Sequence, residues 1–324
     1  MKAKIFLAVF FFSLGVVCPS LLSAQIDYPT KPINIFIGFP SGGSVDVLTR
    51  GLTQEAKKYL GQEIILDYKP GAGGSLSWAH VIGSKADGYT LGSCLTSNFY
   101  NCPLLIDVPF DPIKETIPII AFAKSNKMVM VKSDSPFKTL KDFLEYAKQN
   151  PGKASYGHPG IGTGNHLLMA AIAAHDGIKM NLIPFKGDSP AISALLGGHI
   201  MAAAGTIASY SAHIEAGSIR PIATYEEERL AEYPETPTII ELGYPYTSNA
   251  LFFLYGPQGL SESIIKKLED AFGKASQSPS FKKLSDSTRT RLKKIVFREE
   301  LVKSFPAEKV KAIELFQKAG LGKK

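Results

Sequence analysis

Segments rich in β-forming residues lead repeatedly through a glycine-rich turn into a segment with helical spacing. "KPINIFIGF" leads through "PSGGS" into "SVDVLTRGLTQEAKKYLG", and "QEIILDYK" leads through "PGAGG" into "SLSWAHVIGSKA". In the first of these helices, apolar residues recur at helical intervals at Val45, Leu48, Leu52, Ala56 and Tyr59. This rhythm predicts an α/β fold in which doubly wound, parallel sheets carry helices on both faces.

The same rhythm returns in the second half of the chain, as in "KASYGHPGIGTGNHLLMAAIAAHDG", and it predicts two similar lobes. Apolar strands at 119–131 and 250–257 are the candidates for crossing between them. We therefore predict a discontinuous first lobe of residues 25–125 plus 251–324 and a second lobe of residues 126–250. Ligands of open α/β sheets bind at the carboxyl ends of strands, beside helix N-termini, so two facing lobes predict a site in the cleft.

Residues 1–24 have the three parts of a secretory signal peptide: basic "MKAK", apolar "IFLAVFFFSLGVV" and a small-residue end at "LLSA". We predict that Ala24 is the last residue removed. Val17 stands directly before Cys18, where a lipoprotein signal has a small residue, so lipid attachment is not favoured. No later uninterrupted apolar run reaches the length of a membrane span. The mature protein is therefore predicted to be exported and soluble.

The net charge of +7 is concentrated near the C-terminus, where residues 282–324 hold 13 Lys and Arg against 5 Asp and Glu. Aromatic residues do not interleave regularly with these basic residues, as they do in many nucleic-acid-binding surfaces. The pattern favours a solvated helix face, and nucleic acid is not a predicted partner.

Export leaves two cysteines, Cys94 and Cys102, in the segment "CLTSNFYNC". An oxidising compartment permits a disulfide between them, provided that their Cα atoms lie within about 7 Å. The alternative is a pair of free, buried thiols.

The chain has three glycine loops: the first is "FPSGGS" (39–44), the second "KPGAGGS" (69–75) and the third "GHPGIGTGN" (157–165). They do not match nucleotide-binding motifs. Gly38 and Gly43 have the glycine spacing of a P-loop, but Ser44 and Val45 stand where Lys and Ser or Thr are required. The dinucleotide pattern G-x-G-x-x-G fails at Leu76 in the second loop and, in "GIGTGN", at Asn165 in the third. Neither a nucleotide nor any other cofactor is predicted.

Motifs for catalysis and metal binding are also missing from the sequence. There is no G-x-S-x-G elbow, and the histidines have no metal-ligand spacing. His166, which follows the third loop, fits either a structural hydrogen-bonding role or a ligand contact. What the loops do favour is an anion such as a carboxylate, because helix N-termini expose unpaired N–H groups and glycine permits close approach. Asp46, in the first turn of its helix, is predicted to cap that helix.

A set of further stretches is similar to one family in order and position. They are "YPTKPINIFIGFPSGGSVD", "KPGAGG", "DGYTLG", "PFDP", "YGHPGIGTGNHL", "PFKGDSPAISALLGGHI", "HIEAGSIRPIA" and "PETPTIIELGYP". Together they cover nearly all of the mature chain. The sequence resembles the Bug/TctC family of periplasmic solute receptors, which serve tripartite tricarboxylate transporters.

The resemblance implies a two-lobed periplasmic binding protein, a type 2-like Venus flytrap, that closes on a small carboxylate and delivers it to membrane permease subunits. It further implies a monomer without catalytic residues, metal or cofactor. By position, the implied ligand contacts are Phe39, Ser41, Gly42, Gly43, Ser97, Asn98, Gly160, Gly162, Thr163, His166, Lys186, Gly187 and Thr206.

Three positions depart from the family, which often has acids where this chain has Met201, Gly205 and Ala170. Fewer acids in the cleft would leave a ligand ammonium without partners. The expected ligand is therefore a carboxylate that carries no positive amine.

Two other functions stay open on the sequence. A periplasmic sensor, which presents its bound solute to a membrane signalling partner, has the same sequence features as a transport receptor. An exported hydrolase or transferase is disfavoured, because the sequence shows no nucleophile–base pair and no metal set.

Overall fold

The computed structural model describes residues 28–247 and 249–321, so the predicted signal peptide and its cleavage site lie outside the described residues. The strands of this part of the chain are β1 Ile33–Ile37, β2 Ile64–Tyr68, β3 Thr90–Leu95, β4 Thr116–Lys124, β5 Lys127–Lys132, β6 Ser155–His158, β7 Asn181–Pro184, β8 Ala202–Thr206, β9 Ile219–Thr224, β10 Leu251–Pro257 and β11 Val296–Phe297. Its α-helices are α1 Ser44–Leu60, α2 Ser75–Ile82, α3 Thr96–Leu105, α4 Pro112–Glu115, α5 Leu140–Gln149, α6 Gly164–His175, α7 Asp188–Leu196, α8 Ile207–Glu215, α9 Glu262–Ser276, α10 Pro279–Ser287 and α11 Arg298–Lys318.

The strands form two mixed sheets, with the orders β11-β4-β10-β3-β1-β2 and β7-β6-β8-β5-β9. The expectation of a two-lobed α/β fold is confirmed. Strands β1, β2 and β3 pair in parallel, as do β6, β7 and β8. The expectation of wholly parallel sheets is wrong, because β10 runs antiparallel to β3 and β4, and β5 runs antiparallel to β8 and β9. β5 and β10 each follow a passage of the chain between the sheets, whereas β11, which is antiparallel to β4, follows α10.

The predicted crossing strand at 119–131 is in fact two strands in different sheets. β4 ends at Lys124 in the first sheet, and β5 begins at Lys127 in the second. Between them, the Ser125 amide donates to the Ala250 carbonyl at 2.8 Å, which ties this passage to the returning one just before β10. The two passages therefore lie side by side, as a double connection between the sheets.

Helix α1 shows how the sequence sets the buried face. Val45, Leu48, Leu52 and Ala56 are buried against the first sheet, as their spacing predicts. The last predicted member of that face is wrong, because Tyr59 is 41% exposed and Leu60 is buried instead. Leu60 lies four residues after Ala56 and continues the i, i+4 spacing of Leu52 and Ala56, and Gly61 then ends the helix in the left-handed conformation.

Each sheet has its own apolar core, and the C-terminal helix α11 contacts both. Leu301 and Phe305 of α11 belong to a cluster of the first sheet that includes Phe253 and Tyr255. Further along, Leu315 packs against the core of the second sheet. The helix therefore braces one lobe against the other at the side of the cleft.

Two expectations about side chains are settled within the described residues. Cys94 and Cys102 are both free and buried, so the disulfide alternative is wrong. Several of the C-terminal basic residues are exposed and paired with acids, as in Lys294 with Glu300 at 2.8 Å. No helix among the residues described is both long and apolar enough to cross a membrane.

Candidate functional site

Five helices begin at one cavity between the two sheets. Its lining includes Leu95, which precedes α3, and Thr206, which precedes α8. The remaining helix starts are contributed by Gly43, Ser44 and Val45 of α1, Thr163, Gly164 and Asn165 of α6, and Gly187, Asp188 and Ser189 of α7. Helices α1 and α3 follow strands of the first sheet, and helices α6, α7 and α8 follow strands of the second. The cavity is therefore bounded by helix N-termini from both lobes.

None of these five helices has a side-chain cap at its N-terminus. A helix leaves its first four N–H groups without helical partners, and its N-terminus carries a partial positive charge. The prediction that Asp46 caps α1 is wrong. Its carboxylate accepts from the Gly42 amide at 2.7 Å and from Arg50 at 2.8 Å, and so braces the loop from outside the cavity. The converging N–H groups thus form a site suited to an anion.

Glycine permits the lobes to approach as closely as they do. A Cβ atom on Gly73 of the second loop would lie 2.7 Å from the Ile161 carbonyl oxygen of the third loop. One on Gly162 would lie 2.8 Å from the Cys102 sulfur. Both glycines have left-handed backbone, with φ of 66° and 79°. A side chain at either position would hold the lobes apart.

Lys127, the first residue of β5, places a buried amine at the cavity. The residue is fully buried, and its Nζ donates to the Ser125 carbonyl at 3.3 Å. Burial lowers the pKa of Lys127 to about 8, while Glu226 and Asp188 act in the opposite direction. The amine is therefore mostly protonated at pH 7 and adds positive charge to the helix N-termini.

Asp188, the first residue of α7, places a carboxylate at the same cavity. Its Oδ2 accepts from Thr206 Oγ1 at 2.7 Å, from Ser209 Oγ at 2.9 Å and, across the cleft, from Ser44 Oγ at 3.1 Å. Burial raises the pKa of Asp188, and the three hydroxyl donors oppose that shift. The three family positions without acids therefore do not leave the cleft free of carboxylates, because Asp188 supplies one.

The cavity also has an apolar side, formed by Phe39, Val45, Leu95 and Pro159. Its volume is about 20 Å³, which is enough for one water molecule. The lobes therefore contact each other directly here, and a ligand of several carbon atoms enters only if they separate.

Eight of the thirteen predicted contact residues line one of three cavities. Those that line the cavity are Phe39, Gly43, Thr163, Gly187 and Thr206. Gly160 and Lys186, with Phe39 again, line a neighbouring cavity of about 170 Å³ that lies between the second and third glycine loops. Ser97 lines a cavity of about 210 Å³ on the other side, beside Tyr246 and α11.

The other predicted contacts do not line these three cavities. Ser41 and Gly42 are exposed at the tip of the first loop. Asn98 is buried and donates to the Gly73 carbonyl at 3.1 Å, so it holds the second loop. Gly162 packs on Cys102, and its amide donates to His166 Nδ1 at 3.4 Å.

His166 lies in a stacked pair with His158, with ring centroids 4.4 Å apart. The His158 Nδ1 lies 2.9 Å from the Gly160 carbonyl. Burial lowers the pKa of His158 to about 3 and that of His166 to about 4. Both rings are therefore neutral at pH 7 and support the third loop from behind.

Sequence reasoning missed the two charged residues of the cavity. Lys127 stands at the start of an apolar strand, and Asp188 reads as an ordinary helix-opening residue. A lysine that begins a strand buried on both faces is a signal that could have been used. The contact of Ser44 with Asp188 joins residues 144 positions apart, and no local pattern reports it. Within the described part of the chain, no three His, Cys, Asp or Glu side chains are grouped as a metal site would require.

Comparison with known proteins gives a consistent match along the chain. The family model described as "Tripartite tricarboxylate transporter family receptor" matches residues 48–295. A relative from Cupriavidus necator, named "UPF0065 protein in gbd 5'region", is 37% identical over 302 residues, which are 93% of this chain and 91% of that protein.

Solved structures show the same architecture. One described as "Structure of a periplasmic transporter" is 31% identical, with a TM-score of 0.84 over 91% of this chain and 99% of that one. The periplasmic binding protein BugD is 25% identical, with a TM-score of 0.85 over 92% of this chain and 100% of its own. At 22% and 24% identity, MatC from Rhodopseudomonas palustris with bound malate and R. palustris Rpa4515 with adipate have the same fold.

Proposed function

The chain belongs to the tripartite tricarboxylate transporter receptor family, and from that premise we propose that it binds a small carboxylate between its two lobes in the periplasm. The family is one of solute receptors and not of enzymes, which confirms the prediction that the chain has no catalytic function. The observation that carries the proposal is the convergence of five uncapped helix N-termini, with Lys127, on one interlobe cavity.

The ligand carboxylate is bound by backbone N–H groups and by the Lys127 amine. Each helix N-terminus stabilises a nearby anion by about 0.3–1 kcal/mol, and by up to about 2 kcal/mol where it is partly buried. The Lys127 amine adds a charge-assisted hydrogen bond, worth about 1.5–3 kcal/mol. The apolar side of the cavity, with Phe39 and Pro159, accepts the carbon chain of the ligand.

Binding requires the lobes to separate and close again. The first lobe comprises residues 25–125 plus 251–324, and the second comprises residues 126–250. The two passages joined at Ser125 and Ala250 form the hinge. The far end of α11 rests on the second lobe at Leu315, so this contact must slide or part when the cleft opens.

The predicted contacts that line the cavity touch the ligand. Asn98, Gly162 and His166 hold the second and third glycine loops in place. Export depends on the signal peptide at residues 1–24. The loaded, closed monomer then delivers its carboxylate to membrane permease subunits of the tripartite tricarboxylate type. The relatives described as a periplasmic transporter and a periplasmic binding protein support this location.

A thermal-shift screen of the mature protein tests the proposal. The panel contains mono-, di- and tricarboxylates, with amines and sugars as the comparison classes. A carboxylate present at 100 times its Kd adds about 2.7 kcal/mol to the free energy of unfolding. We expect stabilisation by carboxylates alone, whereas stabilisation by an amine or a sugar and by no carboxylate would contradict the proposal.

A matched pair of lysine variants places the site. Lys127→Met removes the buried amine and keeps a side chain of similar length, and we expect the carboxylate affinity to fall about tenfold or more. Lys132→Met removes an exposed lysine from the other end of β5. It should leave the affinity unchanged. Equal effects of the two substitutions would show that the cavity is not where the ligand binds.

A further inference from the structure

We propose that Asp188 fills one anion position of the cleft with the protein's own carboxylate, so that the receptor takes a ligand with a single carboxylate and a neutral hydrogen-bond donor at its other end. This inference rests on the proposed function and narrows its ligand class.

The Asp188 carboxylate occupies a position that a ligand carboxylate would otherwise take. Its Oδ2 is bound by hydroxyl groups of Ser44 at the start of α1 and of Thr206 at the start of α8, and Asp188 itself opens α7. Three of the five helix N-termini therefore already face a negative charge. A second carboxylate placed there would meet a like charge in a buried site, which costs several kcal/mol.

The backbone makes room for this side chain at Gly205. A Cβ atom at Gly205 would lie 2.6 Å from Asp188 Oδ1 and 2.3 Å from Cε2 of Tyr210. Any residue larger than glycine would thus displace the carboxylate or the ring. The pairing of glycine at this position with an acid at the start of α7 indicates that the carboxylate position is built into the fold.

The second oxygen of Asp188 lacks a donor. Oδ1 is buried and has no hydrogen-bond partner among the described residues. The amide oxygen of Asn165, which lines the same cavity, is also buried without a partner in that part of the chain. An unsatisfied buried acceptor costs about 1–3 kcal/mol. A ligand hydroxyl can donate to such an oxygen, whereas an ionised carboxylate has no proton to donate.

The rest of the cavity suits one carboxylate. The starts of α3 and α6 are not among the groups that bind Asp188, so their N–H groups stay available for a ligand carboxylate. Lys127 pairs with Thr206 between β5 and β8, and its amine lies close enough to Asp188 to offset part of that negative charge. A ligand ammonium at the Asp188 end would bring a second cation into the cavity that already holds Lys127, so a neutral donor is favoured over an amine.

Calorimetry of the mature protein with matched ligand pairs tests the inference. The pairs are succinate and 4-hydroxybutyrate, glutarate and 5-hydroxypentanoate, and adipate and 6-hydroxyhexanoate; in each, a hydroxymethyl group replaces one carboxylate. In the pair whose length fits, we expect the hydroxy acid to bind about tenfold more tightly or better. A dicarboxylate that binds as tightly as its partner, or more tightly, would overturn the inference and leave the proposed function standing. Failure of all six to bind, with binding of an amine or a sugar, would overturn the proposed function itself.

A charge-neutral variant tests the role of the residue. Asp188→Asn keeps the shape of the side chain and removes its charge, so the preference for the hydroxy acid over its dicarboxylate partner should shrink about tenfold or vanish. Asp142→Asn, an acid in the first turn of the outward helix α5, is the control and should leave the preference unchanged. An unaltered preference in a folded Asp188→Asn protein would contradict the inference, and if that variant does not fold, the ligand pairs on the unaltered protein still decide.

Discussion

Helices that begin at the cleft differ from most helices that begin on the outer surface in having no side-chain cap at the N-terminus. On the outside, the side chains of Asp111, Thr139, Ser261 and Ser278 each accept a backbone N–H at the start of α4, α5, α9 and α10. At the cleft, α1, α3, α6, α7 and α8 begin without a side-chain cap, and so does α2 behind the second glycine loop. One outer helix departs from the rule, since α11 begins at Phe297 without a cap and has Glu299 and Glu300 in its first turn.

The difference shows where the molecule keeps its backbone donors available. A side-chain cap contributes about 1 kcal/mol to stability, so the cleft helices forgo that contribution at each start. In exchange, their N–H groups remain directed at one cavity, where a ligand can use them. An uncapped start on a surface loop would have no such consequence. What distinguishes the site is therefore the convergence of uncapped starts.

The largest expected effect comes from placing a capping carboxylate at a cleft helix. Thr163→Asp puts an anion at the N-cap of α6, where the ligand carboxylate is proposed to bind. We expect the affinity for carboxylates to fall about a hundredfold or more, because like charges in a buried site cost several kcal/mol. Thr139→Asp, the same substitution at the N-cap of the outward helix α5, should leave the affinity unchanged, and calorimetry of both variants measures the contrast. Equal carboxylate affinities of the two variants would contradict the proposed difference between cleft helices and outer helices.

The next largest effect is a loss of folding stability at acid pH. His158 and His166 support the cleft side, and burial holds the pKa of each well below the value of about 6.5 in an unfolded chain. As the pH falls from 6.5 to about 4, the unfolded chain takes up protons that the folded one does not, so stability falls, by about 3 kcal/mol for each histidine. Denaturant unfolding at a series of pH values should show this loss.

The double variant His158→Asn with His166→Gln should flatten that pH dependence, because neither new side chain titrates in the interval. His175→Gln changes a histidine that is roughly half exposed beside Asp176 and should leave the dependence as it is. A double variant that retains the full loss of stability would assign the acid sensitivity to another part of the molecule.

The smallest effect belongs to the outer helices. Thr139→Ala and Ser261→Ala remove caps from α5 and α9, and each should lower the free energy of unfolding by about 1 kcal/mol. Neither should alter the carboxylate affinity, because both positions lie away from the cavity. A change in affinity of more than about twofold would show that outer caps are coupled to the site.

Much of the fold could be predicted because its signals are local. The spacing of Val45, Leu48, Leu52 and Ala56 gives α1 and its buried face, and the glycine loops mark the strand ends. The split of 119–131 into two strands was not predicted, although the polar residues 124–127 interrupt the apolar run. That the two halves join different sheets depends on pairing partners that are distant in sequence. The error at Tyr59 has another cause: the positions three and four residues after Ala56 both fit helical spacing, and the buried one is Leu60.

The candidate site was only partly predictable. The glycine loops predict a site formed by backbone N–H groups, and the family resemblance predicts Phe39, Gly43 and Thr163 as ligand contacts there. Lys127 and Asp188 were missed. The lysine at the start of a strand buried on both faces was a usable signal, but the role of both residues depends on strands and helices that are distant in sequence. Three family positions lack acids in this chain, and the carboxylate of the cleft comes from another position, Asp188.

The most direct measurement compares the tightest-binding carboxylate of the screen with its primary amide by calorimetric titration. The amide has nearly the same shape and lacks the negative charge. If the converging helix N-termini and Lys127 recognise an anion, the amide should bind about a hundredfold more weakly or not at all. An amide that binds as tightly as the carboxylate would contradict the account, because the cleft would then select shape and not charge.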